Sequence, residues 1–178
     1  MSGTTRREFL AGSIGGLAAG GLVGSLAGAQ EAGEGAPARL ALERRKLGKT
    51  DMTVAVLGFG GAEIGYSGTD QDVVDQLLNG ALDQGLDAID TAECYRISEE
   101  QIGKAVAHRR DEYQLFTKVG HWPEEGWSPD GIARSIERSL ERLKTDHVDV
   151  VHLHSCGRDV LERGEAIEAL EQAREQGK

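Results

Sequence analysis

From Arg45 onward the chain alternates short apolar runs with longer stretches of helical periodicity. The apolar runs predict four strands, at 54–57, 86–90, 113–118 and 148–154. Each predicted strand is followed by a predicted helix, and such alternation favours an α/β fold with a parallel sheet and right-handed crossovers. The alternation alone fits both a TIM-type (β/α)8 barrel and a doubly wound sheet.

Local signals predict where these elements begin and turn. A tight turn at Gly48 predicts a short hairpin ahead of the first strand. Thr69 is predicted to begin the first helix, Ser98 with Gln101 forms a capping-box pattern for the second, and Ser128 begins the third. The first two of these helices are separated by the strand at 86–90. The buried stripe of the first helix is predicted to contain Val73, Val74, Leu77, Leu78, Ala81 and Leu82.

The N-terminal segment has the composition of a targeting signal. Arg6 and Arg7 stand just before a run rich in glycine and alanine that reaches Ala29. Residues 1–29 resemble a twin-arginine (Tat) signal peptide with cleavage before Gln30, which implies a periplasmic or other extracytoplasmic location. The alternative is an uncleaved membrane anchor, but so many glycines make a poor spanning helix. We therefore expect no stable membrane span after cleavage.

Composition and charge limit the remaining possibilities. Residues 30–44 lack apolar periodicity and are predicted to be a flexible linker, which leaves 45–178 as the folded domain. The chain has 20 lysine and arginine residues against 30 aspartate and glutamate residues, a net charge of -10. This balance argues against nucleic acid as a partner. Cys94 and Cys156 are too few for a disulfide-rich scaffold.

Polar side chains stand at the carboxyl ends of three predicted strands. Asp90, Lys118 and His154 end or nearly end the second, third and fourth strands. Barrel enzymes gather their catalytic groups at this rim, where side chains from several strands converge. The placement therefore favours the barrel over the doubly wound sheet.

Four motifs together resemble the aldo-keto reductase family. They are LGFGG at 57–61, DTAECY at 90–95, FTKVG at 116–120 and VDVVHLHS at 148–155. The resemblance extends over 45–178. It implies a TIM-type barrel and an oxidoreductase that transfers a hydride between NADPH, or NADH, and a small-molecule carbonyl or alcohol.

The resemblance also implies a catalytic tetrad of Asp90, Tyr95, Lys118 and His154. A carbonyl that accepts hydride becomes an alkoxide, so a proton donor must stand beside its oxygen. Tyr95 is the predicted donor, and the Lys118 ammonium would favour loss of its proton. Asp90 would hold Lys118, and His154 would orient the carbonyl. A purely structural Asp90–Lys118 ion pair remains an alternative.

The family's cofactor contacts map onto Gly60, Gly61, Ala62 and Asp90. Glycines without side chains admit the close approach of a cofactor, although an ordinary strand-to-loop turn would also explain the pair. Arg96 departs from the family, which usually has glycine after the tyrosine. A bulky cation there could reshape substrate entry.

A metal site is a further alternative at the fourth strand. His152 and His154 share one strand face, and the same period places Cys156 on it. With no matching carboxylate cluster, one functional histidine beside a packed one is the favoured interpretation, and we expect no metal.

A complete barrel needs eight strand–helix units and about 250 residues, whereas this sequence supplies four such units. The alternative to an active reductase is therefore a catalytically silent barrel fragment, or half of an assembly that needs a partner. An open inner face and two sheet edges predict a dimer or a poorly soluble chain.

Overall fold

The computed structural model of the protein describes residues 39–121 and 126–178. The predicted signal at 1–29 and most of the predicted linker at 30–44 lie outside the described residues. No helix in these described ranges is long and apolar enough to cross a membrane.

An antiparallel hairpin opens the described chain. Strand β1 (Arg44–Lys46) pairs with β2 (Thr53–Ala55), and the connection passes through Gly48 at φ +55°. The predicted hairpin is therefore confirmed. The strand predicted at 54–57 is wrong in part, because its first two residues belong to the hairpin and Val56 and Leu57 are exposed. The first strand of the main sheet is instead the shorter β3 (Phe59–Gly60).

The main sheet has four parallel strands in the order β3, β4 (Ala88–Asp90), β5 (Gln114–Val119) and β6 (Val150–Leu153). Gly60 lies opposite Asp90, and Lys118 lies opposite His152. Sequential parallel neighbours joined by helices are the arrangement of a (β/α) barrel wall. The predicted α/β fold with a parallel sheet is confirmed.

Helices lie between and after the strands. They are α1 (Ala62–Ser67), α2 (Gln71–Asp83), α3 (Ser98–Val106), a 3-10 helix (Ala107–Glu112), α4 (Pro129–Leu143), α5 (Arg158–Arg163) and α6 (Glu165–Glu175). Ser128 begins α4 as predicted, since its hydroxyl accepts a hydrogen bond from the Gly131 N–H. The apolar face of α4 is buried against the sheet.

Two predicted helix caps are wrong, although α3 does begin at Ser98. The cap of α2 is Asp70 rather than Thr69, because the Asp70 carboxylate accepts from the Asp72 N–H. Ser98 forms no capping box, because its hydroxyl donates to the Gly61 carbonyl oxygen at 2.7 Å and contacts the Thr91 hydroxyl at 2.8 Å. Its side chain therefore ties α3 to the strand ends.

The two faces of the sheet differ in burial. On β5, Leu115, Thr117 and Val119 are buried under the helices, whereas Phe116 and Lys118 alternate onto the opposite face. Helix α2 buries Val74, Leu78 and Leu82, but Val73 and Leu77 are 53% and 47% exposed. The predicted stripe of α2 is therefore too wide, because Val73 and Leu77 are exposed and Ala81 is only half-buried.

Candidate active site

A lysine–aspartate pair stands at the carboxyl ends of β4 and β5. The Lys118 ammonium donates to the Asp90 carboxylate and to the Thr91 carbonyl oxygen, the latter at 2.9 Å. Only 17% of the Lys118 side chain is exposed. Two acceptors at the carboxyl end of β4, from Asp90 and the residue after it, therefore hold the ammonium in one place on the face opposite the helices.

Tyr95 lies over this ammonium. Its ring centroid is 4.8 Å from Lys118 Nζ, although Tyr95 comes from the loop after β4. Backbone hydrogen bonds fix that loop on both sides: the Tyr95 N–H donates to the Ala92 carbonyl, and the Ser98 N–H donates to the Tyr95 carbonyl, each at 3.0 Å. The cation and the phenol are thus positioned by the backbone.

His154 completes the group one residue beyond β6. Its ring meets the Tyr95 ring edge-on with centroids 5.6 Å apart. The backbone N–H of His154 donates to the Val119 carbonyl oxygen at 2.9 Å. Burial lowers the pKa of His154, and the positive charges of His121 and Lys118 lower it further. The neutral imidazole can donate a hydrogen bond without adding charge. The structure brings all four tetrad residues predicted from the sequence to one rim.

The two glycines after β3 have different surroundings. A Cβ at Gly60 would meet nothing within 4 Å, so the rim beside Asp90 is open there. A Cβ at Gly61 would lie 2.7 Å from Ser98 Oγ, and the Gly61 N–H donates to the Asp90 carbonyl at 2.7 Å. Gly61 is therefore required for packing. Ala62 begins α1, and cofactor contacts at these positions stay a prediction.

A buried polar network under the Tyr95 loop escaped the sequence reasoning. The Glu93 side chain is 1% exposed, and its carboxylate accepts from the Ser135 hydroxyl and from Arg138 Nε, the latter at 2.6 Å. Arg142 donates to the Glu93 carbonyl oxygen at 3.2 Å, and the Glu93 N–H donates to the Lys118 carbonyl at 3.1 Å. The network joins the loop to α4 and β5. The partners of the Glu93 carboxylate are 42 and 45 residues away in sequence, so no local sequence signal identifies them.

Glu99 forms the second half of this network. Its carboxylate accepts from the Thr117 hydroxyl at 2.7 Å and faces Arg142 at 3.4 Å, with 1% of its side chain exposed. Burial raises the pKa of Glu99, although the Thr117 hydrogen bond and the charge of Arg142 oppose this rise.

The Glu99→Gln variant should have a flatter dependence of stability on pH. With the pKa of Glu99 raised in the native state above its usual 4.5, the native chain binds the proton more tightly than the unfolded chain. The free energy of unfolding therefore falls as pH rises above 4.5 through the raised pKa, and glutamine removes this contribution. Urea unfolding across pH 4 to 8, at about one-unit steps, measures the slope. Glu100→Gln, at an exposed neighbour, is the control, and equal slopes for both variants would contradict the prediction.

Arg96 has a left-handed backbone, with φ +52°. Its guanidinium lies 6.0 Å from the centre of the Tyr66 ring and donates to the Tyr66 carbonyl at 3.5 Å. Left-handed φ disfavours any residue with a Cβ, which gives a physical reason for the glycine that the family usually carries here.

The Arg96→Gly variant should be more stable than Arg96→Ala by about 1 kcal/mol, because glycine relieves the left-handed strain. Both variants lose the same side-chain contacts, so their difference isolates the backbone. Thermal and urea unfolding measure it. An alanine variant at least as stable as the glycine variant would show that the backbone at 96 carries no strain.

A cysteine and a second histidine adjoin the tetrad. Cys94 Sγ lies 3.2 Å from His154 Nδ1, and the rings of His121 and His154 are 5.0 Å apart. Burial raises the pKa of the Cys94 thiol. Cys156 does not share the face of His154 as the strand period predicted. The strand ends at Leu153, Ser155 turns the chain at φ +57°, and Cys156 packs against the cluster under α4 and α6.

Comparison with known proteins decides the family. A model described as the Aldo/keto reductase family matches residues 56–178. The chain belongs to the aldo-keto reductase family. It is 34% identical over 145 residues to the uncharacterized oxidoreductase YqkF of Bacillus subtilis, covering 76% of this chain and 46% of YqkF. It is 32% identical over 147 residues to L-galactose dehydrogenase of Arabidopsis thaliana, covering 77% of this chain and 46% of that protein.

Solved aldo-keto reductase structures share the fold. A putative aldo-keto reductase from Pseudomonas aeruginosa superposes with a TM-score of 0.70 at 35% identity, covering 75% of this chain and 56% of the other. The holo form of an aldo-keto reductase from Bacillus halodurans gives a TM-score of 0.69 at 32% identity, covering 76% and 47%. The chain spans about half the length of the curated relatives it matches.

Proposed function

We propose that this chain carries the catalytic rim of an NAD(P)H-dependent oxidoreductase, with NADPH as the expected cofactor and a small-molecule carbonyl or alcohol as substrate. One observation supports this above the others: the Lys118 ammonium, held by Asp90, lies 4.8 Å from the Tyr95 ring, which His154 meets edge-on. A phenol beside a fixed ammonium and a neutral imidazole is suited to moving one proton.

Bound NADPH would supply the hydride that reduces the carbonyl carbon. Tyr95 donates its hydroxyl proton to the developing alkoxide oxygen and is reprotonated from solvent. The Lys118 ammonium stabilises the phenolate left behind, because opposite charges attract strongly at a partly buried site. Asp90 keeps the ammonium in place. His154 donates a hydrogen bond that orients the carbonyl oxygen.

The rim has room for the nicotinamide group on the side of β3. The position of Gly60 is open where a Cβ would stand, and a pocket there is lined by Gly58, Gly60, Asp90 and Phe116. An aromatic ring and side-chain-free backbone beside the tetrad fit a flat heterocycle. These residues are the ones we propose for the cofactor's reactive end.

The substrate is expected to be small. Relatives include an L-galactose dehydrogenase and, at 34% identity over 131 residues, the methylglyoxal reductase DkgB of Salmonella typhi. Sugars and short aldehydes are therefore the first compounds to assay. Fluorescence titration with NADPH and NADH, followed by carbonyl-dependent loss of NADPH absorbance, tests the proposal. Wild-type protein that binds neither nucleotide, even when a polypeptide carrying the remaining barrel strands is supplied, would overturn it.

The open inner face supports a second proposal, that further strands must cover the sheet before the site is active. Among the described residues β3 and β6 form the two sheet edges, and Gly60 and His152 are exposed on the face away from the helices. Barrel interiors are filled by side chains from all eight strands. We therefore expect the chain alone to dimerise or aggregate and to bind nucleotide only when those strands are supplied.

Sedimentation of the chain at micromolar concentration checks this expectation, together with nucleotide titration in the presence and absence of a polypeptide that carries the remaining strands. A compact monomer that binds NADPH unaided would contradict it.

We also propose export by the twin-arginine route, supported by Arg6, Arg7 and the apolar run that follows. Replacing both arginines by lysine keeps the charge and should retain the protein in the cytoplasm. Cell fractionation of the two forms checks this, and equal export of both would show that the arginine pair is not required.

A further inference from the structure

Three side chains that can bind a metal meet at the catalytic rim, one of them the tetrad residue His154. Cys94 comes from the loop after β4, His121 from the residue after Gly120 at the end of β5, and His154 from the end of β6. One ligand atom from each lies within 4.8 Å of the others, and Cys94 Sγ is 3.2 Å from His154 Nδ1. Three different strand ends therefore converge on one point.

We propose that Cys94, His121 and His154 form a binding site for a thiophilic divalent cation of the zinc class. One thiolate with two imidazoles is a donor set that suits Zn²⁺, whereas Mg²⁺ and Ca²⁺ prefer oxygen ligands. The set is also distinct from the His152, His154 and Cys156 alternative, because Cys156 packs under the helices.

The geometry is close to what the ion requires. Tetrahedral zinc with ordinary bond lengths places neighbouring ligand atoms about 3.3 to 3.6 Å apart. The Cys94–His154 pair is already at 3.2 Å, and the outermost separation of 4.8 Å needs side-chain movement of about 1 Å. His121 is exposed and can make that movement. Three protein ligands leave a fourth position for water, as in open zinc sites.

The backbone and the local charges support the site. The backbone N–H of His154 donates to the Val119 carbonyl oxygen, and the Cys94 carbonyl oxygen accepts from the Tyr66 hydroxyl at 3.4 Å. Lys118 is the nearby cation, but the Asp90 carboxylate pairs with it and reduces its repulsion of a second positive charge. Two ligands are thus preorganised and one is adjustable.

Binding has a chemical consequence for the rim. The metal forms a bond to sulfur as the thiol proton leaves to solvent, and another bond to a nitrogen of His154. A bound ion therefore engages the imidazole that we propose orients the substrate carbonyl. Zn²⁺ should for this reason inhibit the reductase activity that we propose. The binding itself does not rest on the proposed reductase function, because a chain without activity would keep the same three ligands.

Titration of the full chain with Co²⁺ and Zn²⁺ tests the proposal. We expect one Co²⁺ per chain with a thiolate-to-cobalt charge-transfer absorption, displaced by Zn²⁺. Cys94→Ser should abolish that absorption, and both Cys94→Ser and His121→Asn should weaken Zn²⁺ binding by more than the roughly 10- to 100-fold typical for loss of an outer-shell partner. Cys156→Ser and His108→Asn are the matched controls and should leave binding unchanged.

Bound cobalt without the thiolate absorption, or equal affinities for the Cys94→Ser and Cys156→Ser proteins, would overturn the proposal. Circular dichroism checks that each variant folds. If Cys94→Ser unfolds, His121→Asn still decides the matter, because His121 is exposed and its loss removes a ligand without opening the core.

Discussion

Tyr95→Phe is expected to lower kcat/KM for carbonyl reduction by about 10²- to 10⁴-fold, the usual contribution of a positioned acid or base. Phenylalanine keeps the ring that packs against His154 and lies over Lys118, and removes only the hydroxyl. The loss should therefore fall on proton transfer rather than on folding. Both proteins are assayed with the remaining barrel strands supplied. Nucleotide affinity, measured by fluorescence titration, should stay within about 2-fold of wild type, because a lost hydroxyl that acts only in the transition state leaves ground-state binding unchanged.

Tyr66 offers the matched control for this variant. Its ring, on α1, lies 5.8 Å from that of Tyr95, but Tyr66 is 50% exposed and has no described contact with Lys118. Tyr66→Phe should keep wild-type activity within a few-fold. Equal losses for the two variants would show that general disturbance of the loop, and not the Tyr95 hydroxyl, limits the reaction.

Gly65→Ala should destabilise the protein by about 3 kcal/mol or more, at the upper end of overpacking effects. A Cβ at Gly65 would stand 2.0 Å from the Tyr95 carbonyl oxygen and 2.8 Å from the Ser98 Cβ. These neighbours belong to the loop that carries Tyr95 and to the start of α3, so backbone must move. The variant should therefore lose activity together with stability.

Gly80 provides the contrasting substitution in α2. A Cβ there would meet nothing within 4 Å. Gly80→Ala should stabilise the protein by about 0.5 to 1 kcal/mol, because alanine loses less backbone entropy in a helix. Urea unfolding of both variants measures the difference. If Gly65→Ala is as stable as Gly80→Ala, α1 does not pack against the Tyr95 loop as described.

The elements that sequence reasoning found are those with repetitive local signals. The apolar runs predicted β4, β5 and β6 of the parallel sheet, and the rim positions of Asp90, Lys118 and His154 followed from the ends of these strands. Single-residue details failed where two neighbours could serve equally, as with Thr69 and Asp70 at the start of α2. Ser98 was misassigned because its hydroxyl bonds to Gly61, which is distant in sequence.

The buried Glu93 and Glu99 network was beyond prediction for the same physical reason. Glu93 pairs with Ser135 and Arg138, which lie 42 and 45 residues further along the chain. No local pattern encodes such pairs, and an isolated glutamate in a loop is ordinarily exposed. The fold had to bring α4 under the loop before the carboxylates had partners.

Side chains of α4 hydrogen-bond to the Tyr95 loop, so the DTAECY segment cannot be transferred to another protein by itself. Its Glu93 carboxylate depends on Ser135 and Arg138, and its backbone depends on Arg142. Moved alone into another barrel, the segment would bury a carboxylate without partners and lose the position of its tyrosine. A designer who transplants this chemistry must therefore carry the whole face of α4 with it.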